Sequence, residues 1–200
     1  MEYLELSLEN IRNYSRQIAK SVESWGKPDL VIFVASGGYL IGNELACYFQ
    51  TPLLKICATR KAHLFKKILS PFLKVLHSKM KMALRKWEFQ SDYHVVYAER
   101  IVSFDRDIWK KYRNSQKILV VDDSVDTGNT MRAVKEAVSF FFINEDKKIK
   151  CVALNYFRKC LPDTKPDFYL WADTSLSGPW SNDSKENKFF LAEYSKYVEL

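Results

Sequence analysis

The sequence predicts an α/β chain built on a doubly wound parallel sheet flanked by helices. Three observations lead there. Residues 30–35, Leu-Val-Ile-Phe-Val-Ala, and residues 118–121, Ile-Leu-Val-Val, are short unbroken apolar runs rich in β-branched residues, the pattern of strands buried on both faces. Each run stops abruptly in a polar turn containing glycine, Ser36-Gly37-Gly38 after the first and Asp122 to Thr130 after the second. Each turn then leads into a helical period, over residues 39–50 and 131–142, so strand, turn and helix alternate as a parallel sheet requires.

Taken in order, residues 4–25 place Leu4, Leu8, Ile11, Tyr14, Ile18 and Val22 at helical spacing, which predicts an amphipathic opening helix ended by Trp25-Gly26-Lys27-Pro28. Residues 29–35 are the first buried strand, 39–50 a second helix and 52–58 the next strand. Residues 65–87 carry Phe65, Ile68, Leu69, Phe72, Val75, Leu76, Met80, Leu84 and Trp87 at roughly helical intervals around Pro71, predicting one or two helices. Residues 93–98 are a predicted strand, 105–114 a short polar connection, and 149–157 with 167–171 the closing strands. Right-handed crossovers would gather the loops at one edge of the sheet.

The block Ile-Leu-Val-Val-Asp-Asp-Ser-Val-Asp-Thr-Gly-Asn-Thr-Met at residues 118–131 concentrates the chemistry. Asp122 and Asp123 are too polar to continue the strand, so they are expected to project at its carboxyl end, where open α/β sheets bind ligands. Thr127, Gly128, Asn129 and Thr130 supply amides and hydroxyls ahead of a helix N-terminus, a site that favours phosphate. The same residue types also suit a plain capped turn. What favours chemistry is the third acid, Asp126, falling with the others between a strand and a helix.

VVDDSVDTGNT resembles the 5-phosphoribosyl-1-pyrophosphate (PRPP) signature of the type I phosphoribosyltransferases. The resemblance implies that Asp122 and Asp123 hold the ribose hydroxyls, that Asp126 to Thr130 (Asp126, Thr127, Gly128, Asn129, Thr130) wrap the 5′-phosphate, and that Asp126 is the catalytic acid or base toward a purine nitrogen. ASGGYLIG resembles the family's pyrophosphate loop, which implies that Ser36, Gly37 and Gly38 bind the leaving pyrophosphate. Ser36 stands where many members carry Arg or Lys. Mg²⁺ is the implied cofactor, arriving with PRPP near Asp122 and Asp123, with no dedicated protein cage.

In that family the stretch between the two motifs is a variable hood over the site. Here it is a largely helical insertion at about residues 59–112 within a single domain of residues 1–200. Ten Lys or Arg and no Asp or Glu fall between Leu45 and Trp87, so the rest of the chain holds 21 basic against 24 acidic residues, and the net +7 resides in this block. A solvated basic face, steering of the polyanionic PRPP, and contact with nucleic acid or an anionic membrane are all open readings.

The C-terminal segment, about residues 158–200, holds Lys-Pro-Asp-Phe-Tyr-Leu-Trp at 165–171 and Gly178-Pro179-Trp180. It resembles the base-binding part of the 6-oxopurine branch, which acts on hypoxanthine, guanine and xanthine. This implies that Arg158 and Leu176 contact the base, and Ser175 stands where a stacking ring is usual. Read as residues alone, the same segment is equally a half-buried strand.

The expected activity is therefore transfer of the phosphoribosyl group from PRPP to a nitrogenous base, a 6-oxopurine preferred, as in purine salvage. The alternative is a PRPP- or nucleotide-binding regulatory protein on the same fold. The family commonly forms homodimers. Cys47, Cys57, Cys151 and Cys160 are scattered without a metal-binding spacing, as are His63, His77 and His94. No apolar run approaches the ~20 residues of a membrane span, and the opening Met-Glu-Tyr-Leu-Glu is acidic where a secretory leader is basic, so a cytoplasmic protein is expected.

Overall fold

The computed structural model describes residues 2–60, 100–142 and 145–199. The chain divides into two compact units, residues 1–58 with 102–200, and residues 59–101. The predicted basic helices at 65–87 and the strand at 93–98 lie outside the described residues. Residues 102–112, predicted as part of the hood, belong to the first unit.

The described strands are β1 (Glu2–Glu5), β2 (Leu30–Val34), β3 (Leu53–Arg60), β4 (Arg100–Ser103), β5 (Lys117–Val125), β6 (Lys148–Tyr156), β7 (Trp171–Ala172) and β8 (Thr174–Ser177). The helices are α1 (Leu8–Glu23), α2 (Tyr39–Phe49), α3 (Arg106–Lys110), α4 (Asn129–Phe141) and α5 (Asn187–Glu199). Six strands form one sheet in the order β4-β3-β2-β5-β6-β7, and β1 pairs with β8 in a separate two-stranded sheet. The pairs β2–β3, β2–β5, β5–β6 and β6–β7 are all parallel.

Alternation along the buried strands sorts the core into two layers. Val31, Phe33, Leu119, Val121, Val152 and Leu154 face one side, where they pack with Ile11, Ile18 and Val22 of α1, Ile41 and Leu45 of α2 and Phe190 of α5. Leu30, Ile32, Val34, Ile118, Val120, Cys151 and Ala153 face the other, against Met131, Val134 and Val138 of α4. Leu30–Val34 of β2 and residues 118–121 of β5 are apolar and buried on both faces, so these stretches read as continuous runs.

Four predicted elements differ in the structure. Residues 2–5 form β1 instead of opening the first helix. Ser7 stops the helix short: its hydroxyl accepts from Asn10 N at 3.1 Å while Asn10 Oδ1 accepts from Ser7 N at 3.1 Å, a reciprocal cap that fixes Leu8 as the first helical residue. Residues 105–114 contain the helix α3, capped by Asp105, because Trp109 is buried there to 1% exposure. Its ring stacks on Phe104 at 4.0 Å and meets Phe141 and Phe142 edge-on or tilted. Trp109→Ala is expected to destabilise the protein by about 3–5 kcal/mol, measured by denaturant unfolding, since the cavity opens inside a closed aromatic cluster.

The third difference concerns the acids. β5 continues through Asp122, Asp123 and Ser124 to Val125, pairing Asp122 with Ala153, Ser124 with Asn155 and Val125 with Tyr156. The ladder with β6 satisfies the backbone there, so carboxylate side chains do not end the strand; the turn after Val125 does. Last, the predicted strand at 167–171 is reduced to a single bridge, Val152 with Phe168, and the short β7.

Candidate active site at the carboxyl edge of the sheet

The order β3-β2-β5-β6 places β2 beside β5, with α2 leaving β2 over one face and α4 leaving β5 over the other. The chain direction thus diverges between these two strands, which opens a crevice at their carboxyl ends. Residues 35–38 and 126–128 are the two turns at that crevice.

The two helices that start there differ from α1 and α3 in how they begin. α1 and α3 start at Ser7 and Asp105, whose side chains cap the first amides. α2 starts at Gly38 and α4 at Gly128, and neither has a side-chain cap. First-turn amides without a capping oxygen leave the positive helix end available to an anion. In the first turn Gly38 N is turned back to Val34 O at 3.0 Å and Tyr39 N to Ser36 O at 3.1 Å, which holds the turn compact. The Ala35–Ser36 peptide is cis. Behind it Tyr39 is buried among Phe33, Phe190, Tyr194 and Tyr197, so the C-terminal helix braces the start of α2.

The glycines are where the two turns meet. A Cβ on Gly37 would fall on the Asp123 carboxylate, with Cγ at 2.5 Å, so the first turn touches the second acid of β5 directly. A Cβ on Gly38 would meet backbone, Val121 O at 2.5 Å and Val34 O at 2.9 Å. Gly128 has φ +88° and its Cα abuts Thr164, so that position needs glycine for both conformation and space.

Asp122 is buried, and its amide-linked neighbour Asp123 is half-buried, with Asp123 N donating to Asp122 Oδ1 at 3.0 Å. Burial raises the Asp122 carboxyl well above the usual carboxylate range, and the Asp123 charge adds to the effect. Burial also raises Asp123, opposed by its hydrogen bond with Asp122. Two acids held this way favour a ligand that brings hydroxyl donors or positive charge. Asp126 and Thr127 are exposed, and Ser124 Oγ donates to Asp126 Oδ1 at 3.1 Å.

A cavity of about 340 Å³ opens beside these acids, lined by Asp123, Ser124, Asp126, Phe157, Lys159, Ser175 and Leu176. Of the two residues assigned to the base, Leu176 lines it and Arg158 does not. β6 ends at Tyr156, and Phe157–Cys160 turns, with Phe157 N on Val125 O at 2.9 Å and Cys160 N on Phe157 O at 2.9 Å. That turn sends the Arg158 side chain outward to Asp173, with Nη1 3.1 Å from its carboxylate, and brings Lys159 to the cavity instead. The Lys159 ammonium sits 5.5 Å over the Phe157 ring. Phe157 and Lys159 escaped the sequence reading because the end of β6 is displaced by one residue from its expected place. Their adjacency to Arg158 in an aromatic-basic triplet was the available signal.

Thr127, Gly128, Asn129 and Thr130 form the turn and first residues of α4 and do not line this cavity, which Asp126 does. Ser36, Gly37 and Gly38 form the turn before α2, reaching the acids through Gly37. No group of three or more metal-ligating side chains occurs among the described residues, and no helix among them is long and apolar enough to cross a membrane.

Neither a family model nor a curated protein matches the sequence. The three-dimensional form does match solved structures. A xanthine-guanine-hypoxanthine phosphoribosyltransferase from Helicobacter pylori aligns with TM-score 0.60 and 19% identity over 94% of this chain and 98% of that one. A purine phosphoribosyltransferase from Pyrococcus horikoshii Ot3 aligns at 0.58 and 19%, covering 92% and 97%. The chain has the type I phosphoribosyltransferase fold.

A third structure, a hypothetical protein from Neisseria gonorrhoeae with bound ppGpp, aligns at TM-score 0.58 and 18% identity over 97% of both chains. In this chain a strand-turn-helix unit stands at each of the two turns, and Phe157, Lys159, Ser175 and Leu176 line the cavity together with Asp123, Ser124 and Asp126.

Proposed function

We propose that this chain transfers the 5-phosphoribosyl group from PRPP to a nitrogenous base, a 6-oxopurine by preference, releasing pyrophosphate. The contact of Gly37 with Asp123 carries the proposal, because it brings an uncapped helix turn for one phosphate group against an acid pair for a ribose. Asp122 and Asp123 would hold the ribose hydroxyls. The turn Asp126–Thr130 would wrap the 5′-phosphate, and the turn Ser36–Gly38 would take the pyrophosphate through the Ser36 and Gly37 amides, Gly38 N being held by Val34 O.

A base nitrogen would attack C1 of the ribose as the C1–oxygen bond breaks and pyrophosphate leaves with the electron pair. Asp126, on the cavity wall, would accept the proton from the base nitrogen. The carboxylates would stabilise the positive charge that develops on the ribose. Mg²⁺, supplied with PRPP, fits the donor set: Asp122 and Asp123 are paired acids whose burial disfavours two negative charges, and bound Mg²⁺ would offset the charge of the leaving group. Lys159 and Leu176, with the Phe157 ring, would face the base.

Incubation of the protein with PRPP and Mg²⁺ against hypoxanthine, guanine, xanthine, adenine, uracil and orotate separately, with pyrophosphate release as readout, tests this. Release with at least one 6-oxopurine is expected. A second reading, a nucleotide-binding protein without turnover, draws on Ser36 in place of a cation and Ser175 in place of a ring. It also draws on the Neisseria gonorrhoeae structure with ppGpp. PRPP binding by calorimetry with no release from any base would favour it.

A further inference from the structure

We propose that Asn155 is a positioning residue for the proposed transfer reaction, fixing through Ser124 the carboxylate of Asp126 and tying it to the strand that walls the base cleft. This rests on the phosphoribosyl-transfer reading above. Asn155 lies on β6 directly opposite Ser124 on β5 and is 0% exposed. Its Oδ1 accepts from Thr174 N at 3.1 Å, and its Nδ2 donates to Ser124 Oγ at 3.2 Å. Ser124 Oγ then reaches Asp126 Oδ1 at 3.1 Å.

The directions in this chain are not interchangeable. A backbone N–H can only donate, so the Asn155 carbonyl oxygen must face Thr174 and its NH₂ must face Ser124. The NH₂ can only donate to the Ser124 oxygen, so the hydroxyl proton is left for Asp126, an acceptor. One buried amide thus directs the Ser124 hydroxyl to one oxygen of Asp126 and leaves the other for a ligand in the cavity, which both Ser124 and Asp126 line. Thr174 precedes Ser175 and Leu176, which form another part of the cavity wall. A displacement of that wall is therefore transmitted by three hydrogen bonds to the residue that would take the proton.

An asparagine that merely satisfied the Thr174 amide would serve equally well as aspartate. Asn155→Asp separates the two roles, since the introduced carboxylate still accepts from Thr174 N but attracts the Ser124 proton away from Asp126. Other charges at the cavity are Asp123, Asp126 and Lys159, and they are unchanged. Expected at pH 8, with PRPP, Mg²⁺ and the most active base, is a kcat lowered on the order of tenfold or more, within the range of general-base contributions, with KM for PRPP within about twofold. Below about pH 6 the introduced carboxyl protonates and can donate to Ser124, so the ratio to wild type should recover. Ser124→Ala, at a half-buried position that tolerates the loss, should show the kcat deficit without acid recovery, and Ser124→Thr should restore it. These two variants keep the test open should Asn155→Asp fold poorly. Wild-type kcat and pH profile in Asn155→Asp and Ser124→Ala would overturn the proposal alone. Absence of pyrophosphate release from the wild type with every base would remove the transfer reading and this role with it.

Discussion

Replacing Asp122 and Asp123 together by asparagine is expected to abolish PRPP binding while making the free protein more stable. Each carboxylate would lose charge-assisted hydrogen bonds to a ribose hydroxyl, worth about 1.5–3 kcal/mol apiece, so affinity should fall by roughly two to four orders of magnitude by calorimetry with Mg²⁺ present. The stability gain has a separate origin. Burial raises both carboxyls, Asp122 the more strongly, so the folded protein binds protons that the unfolded chain gives up. The stabilisation from that binding is complete below the unfolded carboxylate pKa of about 4 and is lost as pH rises through the raised folded values. Above that window the wild type keeps two ionising acids in a buried pair, and asparagine does not. A gain of roughly 0.5–2 kcal/mol at neutral pH, shrinking toward pH 4, is expected in urea unfolding. A double variant that bound PRPP as the wild type does would remove the assignment of these acids to the ribose.

The sequence disclosed the parts of this site that depend on local chemistry. Two apolar runs, each followed by a glycine turn and a helical period, predicted β2 with α2 and β5 with α4, because strands buried on both faces leave no choice of period. The uncapped starts at Gly38 and Gly128 follow from glycines standing where Ser or Asp would cap. What it concealed depends on long-range registration. Nothing local distinguishes Arg158 from Lys159 as the cavity residue, since that is decided by where β6 ends against Val125. The role of Asn155 is set by its pairing with Ser124, thirty-one residues away, and by an amide on β8. β5 outran the expected strand end because the β6 ladder, invisible in one strand's residues, satisfies the backbone of Asp122 and Ser124. Trp109 was hidden in a run of polar residues, and only its neighbours Phe104, Phe141 and Phe142 show why a helix forms there.

The two adjacent glycines of the first turn should respond differently to alanine, and the contrast separates ligand geometry from folding. At Gly38 the added methyl meets two carbonyl oxygens, Val121 O and Val34 O, that belong to buried parallel strands. Those strands cannot retreat without breaking the β2–β5 pairing, so Gly38→Ala is expected to cost about 1–3 kcal/mol or more in unfolding free energy. At Gly37 the methyl meets the Asp123 carboxylate, a side-chain group that can rotate aside. Gly37→Ala should therefore fold with near wild-type stability. Under the proposed ribose assignment Asp123 would act from the space beside Gly37, so its displacement should weaken PRPP binding by at least about tenfold, the equivalent of one partly lost charged hydrogen bond. Gly37→Ser adds the same Cβ together with a hydroxyl able to donate to the displaced carboxylate, so it should be no better. Equal stability loss at both positions would mean that the Asp123 side chain is as fixed as the backbone beside it, and unchanged PRPP affinity in Gly37→Ala would separate the first turn from the ribose site altogether.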